Sequence, residues 1–356
     1  MRDKLYTFTD LILPELRHTS DDIPYNPKTY SLSDYRPSMT DVEIIEFVVP
    51  ESCFNQRADR VIAELCTDYS RSQLQKWLKA GDILIDGRVM AVKEKIVGGE
   101  TIQIQAKPIQ RSDFEPENIP LDIRYEDEHM LILNKPSGIV VHPAAGNWSG
   151  TLMNALLAHN DHQNELPRAG IVHRLDKDTT GLMMVAKDLK SHHALVEALQ
   201  EREVSREYQA LVCGELISGA TIEGNIGRHP KDRKKMAVVD DERGKHAITH
   251  YRIEERMIKH TLLRVHLETG RTHQIRVHLS WKHHPIVGDK TYGGRLRIPS
   301  GLGQIKCDAL RQFPRQALHA ARLSLNHPMT GESLSIEAEM PDDMRQLIGI
   351  LTDVEE

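Results

Sequence analysis

The sequence predicts an α+β protein: a small helix-and-hairpin module followed by a larger domain built on a mixed, largely antiparallel β-sheet with flanking helices. Three observations lead there. At 356 residues and 39% hydrophobic content the chain can bury more than one core. Short runs rich in β-formers, at 130–134, 139–141, 181–186, 208–212 and 262–267, are bounded by Gly, Pro, Asp or Asn. Helical periodicity interrupts them at 189–200 and 272–282, with a short terminal helix at 342–351, too irregularly for the strand–helix alternation of a doubly wound sheet.

Residues 1–45 scatter Pro, Ser and Asp without a sustained period, the composition of a poorly ordered extension. Residues 46–106 read as one compact module. Ser70-Arg71-Ser72-Gln73 matches a capping box, Leu74, Trp77 and Leu78 follow at helical spacing, and Gly81 ends the helix. Alternation through Ile83 and Ile85 then meets Asp86-Gly87, a two-residue hairpin signal. The polar helix face carries Arg71, Lys76 and Lys79. The arrangement resembles the S4 RNA-binding domain, in which such a basic face meets RNA; a structural role in a small α+β domain is the competing reading. Residues 107–120 form a Pro- and charge-containing link, and the second domain spans 121–356.

The net charge of −6 argues against a nucleic-acid partner until its distribution is read. Residues 1–50 hold nine acids and five bases, and residues 341–356 five acids and one base, leaving +2 for 51–340. Within that stretch the run Arg228 to Lys235 gathers Lys231, Arg233, Lys234 and Lys235, either a solvated loop or a phosphate-facing one. No segment reaches the roughly 20 apolar residues of a membrane span. Four separated cysteines without a C-x-x-C pair indicate neither disulfides nor a zinc knuckle, so a reducing cytoplasm is expected. Among nineteen histidines, His273 and His278 are five apart and do not share a helical face, and adjacent His283 and His284 diverge; no metal is expected.

The densest polar stretch is His173-Arg174-Leu175-Asp176-Lys177-Asp178-Thr179-Thr180-Gly181, running straight into the apolar strand Leu182 to Ala186. Polar groups crowded against a buried strand mark a loop at a cleft edge, serving catalysis or a structural network around Asp178 and Thr179. With Gly170-Ile171-Val172 in front, this stretch resembles the signature of the pseudouridine synthases related to the ribosomal enzymes. Further segments follow in that family's order: Asn134 to Gly138 with Val141-His142-Pro143, Arg206-Glu207-Tyr208-Gln209-Ala210, Leu267 to His278, and Pro285 to Asp289.

The resemblance implies site-specific isomerisation of uridine in large-subunit ribosomal RNA by a monomeric enzyme. The base is cut from its sugar, rotated and rejoined through C5. Such an isomerisation needs no oxidant, phosphate donor, metal or cofactor, and no P-loop or dinucleotide fingerprint is present. Asp176 would act as nucleophile or as the base taking the sugar C2′ proton. Either role needs an ionised carboxylate in a water-poor pocket, which a fixed cation, Arg276, would sustain. Tyr208 would stack on the target base, and its hydroxyl would assist removal of the C5 proton. Arg174 would fill the space the flipped base leaves. His173, Lys177, Arg271 and His273 would complete the substrate-binding set, with Lys177 and Lys135 steering phosphate and Asp178 and the threonines as scaffold. A non-catalytic RNA-binding or ribosome-assembly factor on the same fold is the rival, and a hydrolase using Asp176 a third reading.

Overall fold

A computed structural model describes residues 43–66, 69, 71–106, 114–144, 146–232, 234–240, 242–294 and 298–353. The expected N-terminal extension up to residue 42, Ser70 of the capping box, residues 107–113 of the link, and Arg233 lie outside the described residues. The chain divides into two compact units, Met1–Pro108 and Ile109–Glu356.

In the first unit β1 (Glu43–Val48), α1 (Ala58–Leu65), α2 (Arg71–Ala80), β2 (Ile83–Ile85) and β3 (Thr101–Ala106) follow in order. The strands form an antiparallel sheet ordered β1-β3-β2. Val61, Ile62, Leu74, Trp77 and Leu78 of the helices meet Ile83, Ile85, Ile102 and Ile104 of the strands in one core. α2 stops where Gly81 takes φ +81°, and Asp86 and Gly87 both turn left-handed, at +49° and +70°, as a tight primed turn requires. Lys76 and Lys79 are exposed. Arg71 is only partly available, because its guanidinium bonds the fully buried Asp59 carboxylate at 2.7 Å.

The second unit runs β4 (Ile123–Glu126), β5 (Met130–Lys135), α3 (Leu152–His159), β6 (Thr180–Ala186), α4 (Leu189–Gln200), β7 (Ser205–Cys213), β8 (Ala220–Arg228), β9 (Met236–Val239), β10 (Lys245–Met257), β11 (His260–Leu267), α5 (Gln274–Trp281), α6 (Gln304–Gln312), β12 (Leu318–Asn326), β13 (Ser333–Glu337) and α7 (Asp342–Thr352). One sheet orders them β4-β5-β6-β12-β7-β11-β10-β8-β9, with β13 also on β12. Among the described residues its pairings are antiparallel except β6 with β12. This is the expected mixed, largely antiparallel α+β class.

β6 is buried along its whole length because both faces of the sheet are covered. Met183 and Val185 enter the core containing Leu156 of α3, Ile275 of α5 and Leu347 of α7, whereas Leu182, Met184 and Ala186 enter the one containing Leu195 of α4. A fully buried aliphatic side chain contributes about 1.5–3 kcal/mol, so this strand is a firm base for the loop ahead of it.

The expected strand at 139–141 is not formed. Its carbonyls have other partners: Val140 and Val141 accept the Leu152 and Met153 amides at the start of α3, and Ile139 accepts from Lys135 Nζ. Those contacts satisfy the backbone without a ladder. The expected helix at 272–282 is shorter, starting at Gln274 because His273 sits left-handed at φ 57°.

Candidate active site

The loop 173–179 is held by bonds from four directions. Thr179 N–H returns to the Asp176 carbonyl at 3.1 Å, closing the turn. Lys135 Nζ and the Gly138 amide both donate to the Lys177 carbonyl, at 2.9 and 3.0 Å. Arg315 Nη1 reaches the Asp178 carbonyl at 3.4 Å, and Gln316 Nε2 donates to Thr179 Oγ1 at 3.1 Å. Thr180 Oγ1 pairs with His319 Nδ1 of β12 at 2.9 Å. Where the loop enters β6, Gly181 has φ +114°, and a Cβ there would stand 2.3 Å from the Ala320 carbonyl oxygen. Only glycine lets β6 and β12 approach so closely.

With its backbone fixed, the loop presents the Asp176 carboxylate to a cleft of about 550 Å³. Arg276 Nη1 donates to Asp176 Oδ2 at 2.8 Å, and His273 Nε2 lies 3.7 Å from Oδ1. The other edge of the Arg276 guanidinium is taken by the fully buried Asp289, with Nε to Oδ2 at 2.7 Å and Nη2 to Oδ1 at 2.9 Å. Its charged carbon also lies 5.0 Å from the Tyr292 ring centre. Burial alone would lower the Arg276 pKa, but the Asp289 hydrogen bonds and the charge of Asp176 outweigh it and raise it. Asp289 is held below the usual carboxylate range, since Arg276 overcomes the upward push of burial. The cation opposite Asp176 is therefore permanent.

His273 Nδ1 is 2.7 Å from the Tyr292 hydroxyl, which already accepts the Met236 amide at 2.9 Å. That hydroxyl can donate to Nδ1, leaving the imidazole proton on Nε2 facing Asp176. Burial holds His273 below the ordinary histidine value, which keeps the ring neutral near pH 7.

Tyr208 is 6% exposed and lines the same cleft from β7. Burial raises its phenol pKa, while Arg206 pulls it down and Asp176 pushes it up. Arg174, exposed, and Arg271 also line the cleft. Six of the anticipated groups, Arg174, Asp176, Tyr208, Arg271, His273 and Arg276, thus converge on one space.

Others lie outside that space or have different partners. His173 borders the cleft, yet its Nε2 accepts the Met184 amide at 3.1 Å, so that nitrogen fastens loop to strand. Lys177 is exposed and borders an adjoining depression instead. Lys135 cannot steer phosphate: it is fully buried, and Nζ donates to the Pro136, Ile139 and Lys177 carbonyls at 2.7, 3.1 and 2.9 Å. Lys231 and Lys234 are exposed and Lys235 half-buried in the β8–β9 turn, folded around His229 and Asp232. His278 is a core residue bonded to Thr249 Oγ1 at 2.9 Å. Among the described residues no group of three His, Cys, Asp or Glu side chains could hold a metal ion. No described helix is long and apolar enough to cross a membrane.

Sequence reasoning missed Asp289, Tyr292 and Arg206. Asp289 carried a usable signal, being an acid thirteen residues beyond Arg276 in a segment already singled out. Arg206 carried a plainer one: two positions before Tyr208 on a strand, it shares that residue's face.

A carboxylate, its arginine and a tyrosine, gathered in a basic cleft on a mixed sheet, define a class that the comparisons name. The chain belongs to the RNA pseudouridylate synthase family, whose model matches residues 129–281. It is similar to the ribosomal large subunit pseudouridine synthase D of Xanthomonas campestris, with 48% identity over 320 residues, 90% of this chain and 96% of that protein. The protein of the same name from Escherichia coli K12 is 50% identical over 304 residues, 85% and 93% of the two chains. Among solved structures, human RNA pseudouridylate synthase domain containing 4 superposes with a TM-score of 0.51 at 27% identity, covering 64% of this chain and 92% of that one.

Proposed function

We propose that this protein isomerises specific uridines to pseudouridine in large-subunit ribosomal RNA, with Asp176 as its catalytic carboxylate. The observation that carries the reading is the chain of contacts Asp289–Arg276–Asp176 beside Tyr208. It keeps one carboxylate paired with a permanent cation at the opening of a cleft. Both candidate roles of Asp176, attack on the nucleoside and removal of the C2′ proton, use that carboxylate. The relatives' names supply the substrate class, and their similarity spans most of this chain.

The target uridine must leave its stack, at a cost of a few kcal/mol that is least in loops and unpaired RNA. Arg174, exposed beside Asp176, would occupy the vacated space. Tyr208 offers a stacking face, worth about 1–3 kcal/mol per base. The exposed Lys76 and Lys79 of the first unit and the lysines of the β8–β9 turn add sequence-independent affinity for phosphate.

Asp176→Asn tests the assignment. It should bind RNA about as tightly as the native protein and leave no pseudouridine detectable by carbodiimide primer extension. Retained conversion would remove Asp176 from the chemistry, and a native protein that binds ribosomal RNA without converting it would support the assembly-factor reading.

A further inference from the structure

Among the described residues three arginines are buried, and two of them are saturated. Arg276 holds Asp176 and Asp289, as described. Arg315 holds both oxygens of Asp343 at 2.7 Å and donates to two carbonyls. Arg206 is as deeply placed, at 7% exposure, but has no carboxylate, and its Nε is shut from solvent without any hydrogen-bond partner. Removing a guanidinium from water without a counter-charge costs several kcal/mol. Such a group signals a site completed by something else.

The surroundings of Arg206 point to what that is. It lines the cleft that holds Asp176, on the face of β7 that carries Tyr208, about 7 Å along the strand. A Cβ on Gly270 would stand 2.7 Å from Arg206 Nη1, so the bare backbone ahead of α5 gives the guanidinium its seat. A neutral uracil would leave the charge uncompensated. The anion that every nucleotide brings is its phosphodiester, and the planar fork of an arginine matches phosphate oxygens in pairs. We infer that Arg206 is an anchoring site for a backbone phosphodiester next to the extruded uridine. It would seat the strand while Tyr208 receives the base. The inference rests on the reading of the protein as an RNA-acting isomerase.

The test uses the full-length protein and an RNA stem-loop that it converts; absence of conversion by the native protein would fail that reading, not the anchor. Arg206→Met should weaken RNA binding about 10- to 100-fold, the value of one charge-assisted contact. It should also make the plot of log K against log salt shallower by about one phosphate, roughly 0.7–0.9. The thermal midpoint should stay or rise, because an unpaired buried charge has gone. Methylphosphonate placed singly at each linkage around the target should find one position that weakens native binding by a similar factor and adds nothing in the variant. Arg206→Lys keeps the charge without the fork and reads the same cycle if the methionine variant unfolds. An unchanged affinity and salt slope would overturn the inference. So would additivity of Arg206 and every linkage, or a lower midpoint with an unchanged slope, which would make Arg206 a structural residue.

Discussion

Asp289 touches no substrate-facing space that Asp176 needs, yet it orients the arginine on which Asp176 depends, and Asp289→Asn isolates that dependence. Asparagine keeps the volume and can still accept the Thr291 and Tyr292 amides, which now reach Oδ1 at 2.9 and 3.0 Å. It loses one of the two charged contacts that fix the Arg276 plane, and with it the counter-charge. Breaking a buried pair by removing one partner costs about 3–5 kcal/mol, and the conserved shape places this change at the lower end, about 3 kcal/mol. In a unit of roughly 250 residues that lowers the thermal midpoint by about 6–12 °C. Arg276, left with one hydrogen bond to residue 289 and one to Asp176, is then less tightly fixed in its plane, and misplacement by about 1 Å at a reacting group costs on the order of 10²-fold. Single-turnover conversion of a ribosomal RNA fragment, with RNA affinity measured separately, should show the rate falling about 100-fold while affinity changes less than about threefold. A rate within threefold of native, whatever the midpoint does, would refute the claim that Asp289 orients the site.

Lys135→Met should remove the donor shared by the Pro136, Ile139 and Lys177 carbonyls, costing on the order of 3 kcal/mol and slowing conversion through a loosened loop; unchanged hydrogen exchange at residues 174–179 would contradict this. Tyr208→Phe should keep RNA affinity and lower the conversion rate, whereas Tyr208→Ala should also lose about 10-fold or more in affinity; equal rates for Tyr and Phe would leave the hydroxyl without a role. Acid should destabilise the second unit through His173, which burial, aided by Arg206, holds down to about 3. The folded ring stays neutral while the unfolded one takes a proton near the ordinary histidine value of about 6.5. The contribution is therefore complete above about pH 6.5 and is lost as pH falls toward 3, reaching about 2 kcal/mol at pH 5. Urea midpoints that do not fall between pH 7 and pH 5 would refute it.

The elements legible in the sequence are those whose pattern is local. β5, β6, β7 and β11 are dense in β-formers and end at Gly, Asp or Asn, so their centres were readable, and α4 and α7 have a clear helical period. β10 was not, because it runs Lys245–Met257 with His, Arg and Glu on its solvent side, and its burial alternates only once β8 and β11 flank it. α3 was hidden by the opposite effect. Its Leu152–Leu157 stretch is buried all round, leaving no polar stripe to give a period, and the Thr151–Asn154 capping box that starts it is seen only in the fold. The strand expected at 139–141 failed because apolar residues there face Lys135 and α3 rather than a partner strand.

The candidate site divides the same way. Asp176, Tyr208 and Arg276 could be picked out because each sits in a segment with its own signature, but the hundred residues between Asp176 and Arg276 give no local hint that they meet. What a sequence withholds most completely is the state of a charge. Arg206, Arg276 and Arg315 are the same residue at the same burial, and their roles differ only in what the fold sets opposite them: Leu323 across the ladder from Arg206, Asp176 and Asp289 about Arg276, Asp343 against Arg315. Two of those partners arrive from helices or turns that pack onto the sheet late in the chain. Arg206 lines the cleft of Asp176 instead, so the register that sets Leu323 across from it, and no carboxylate, also turns it toward space for an anion.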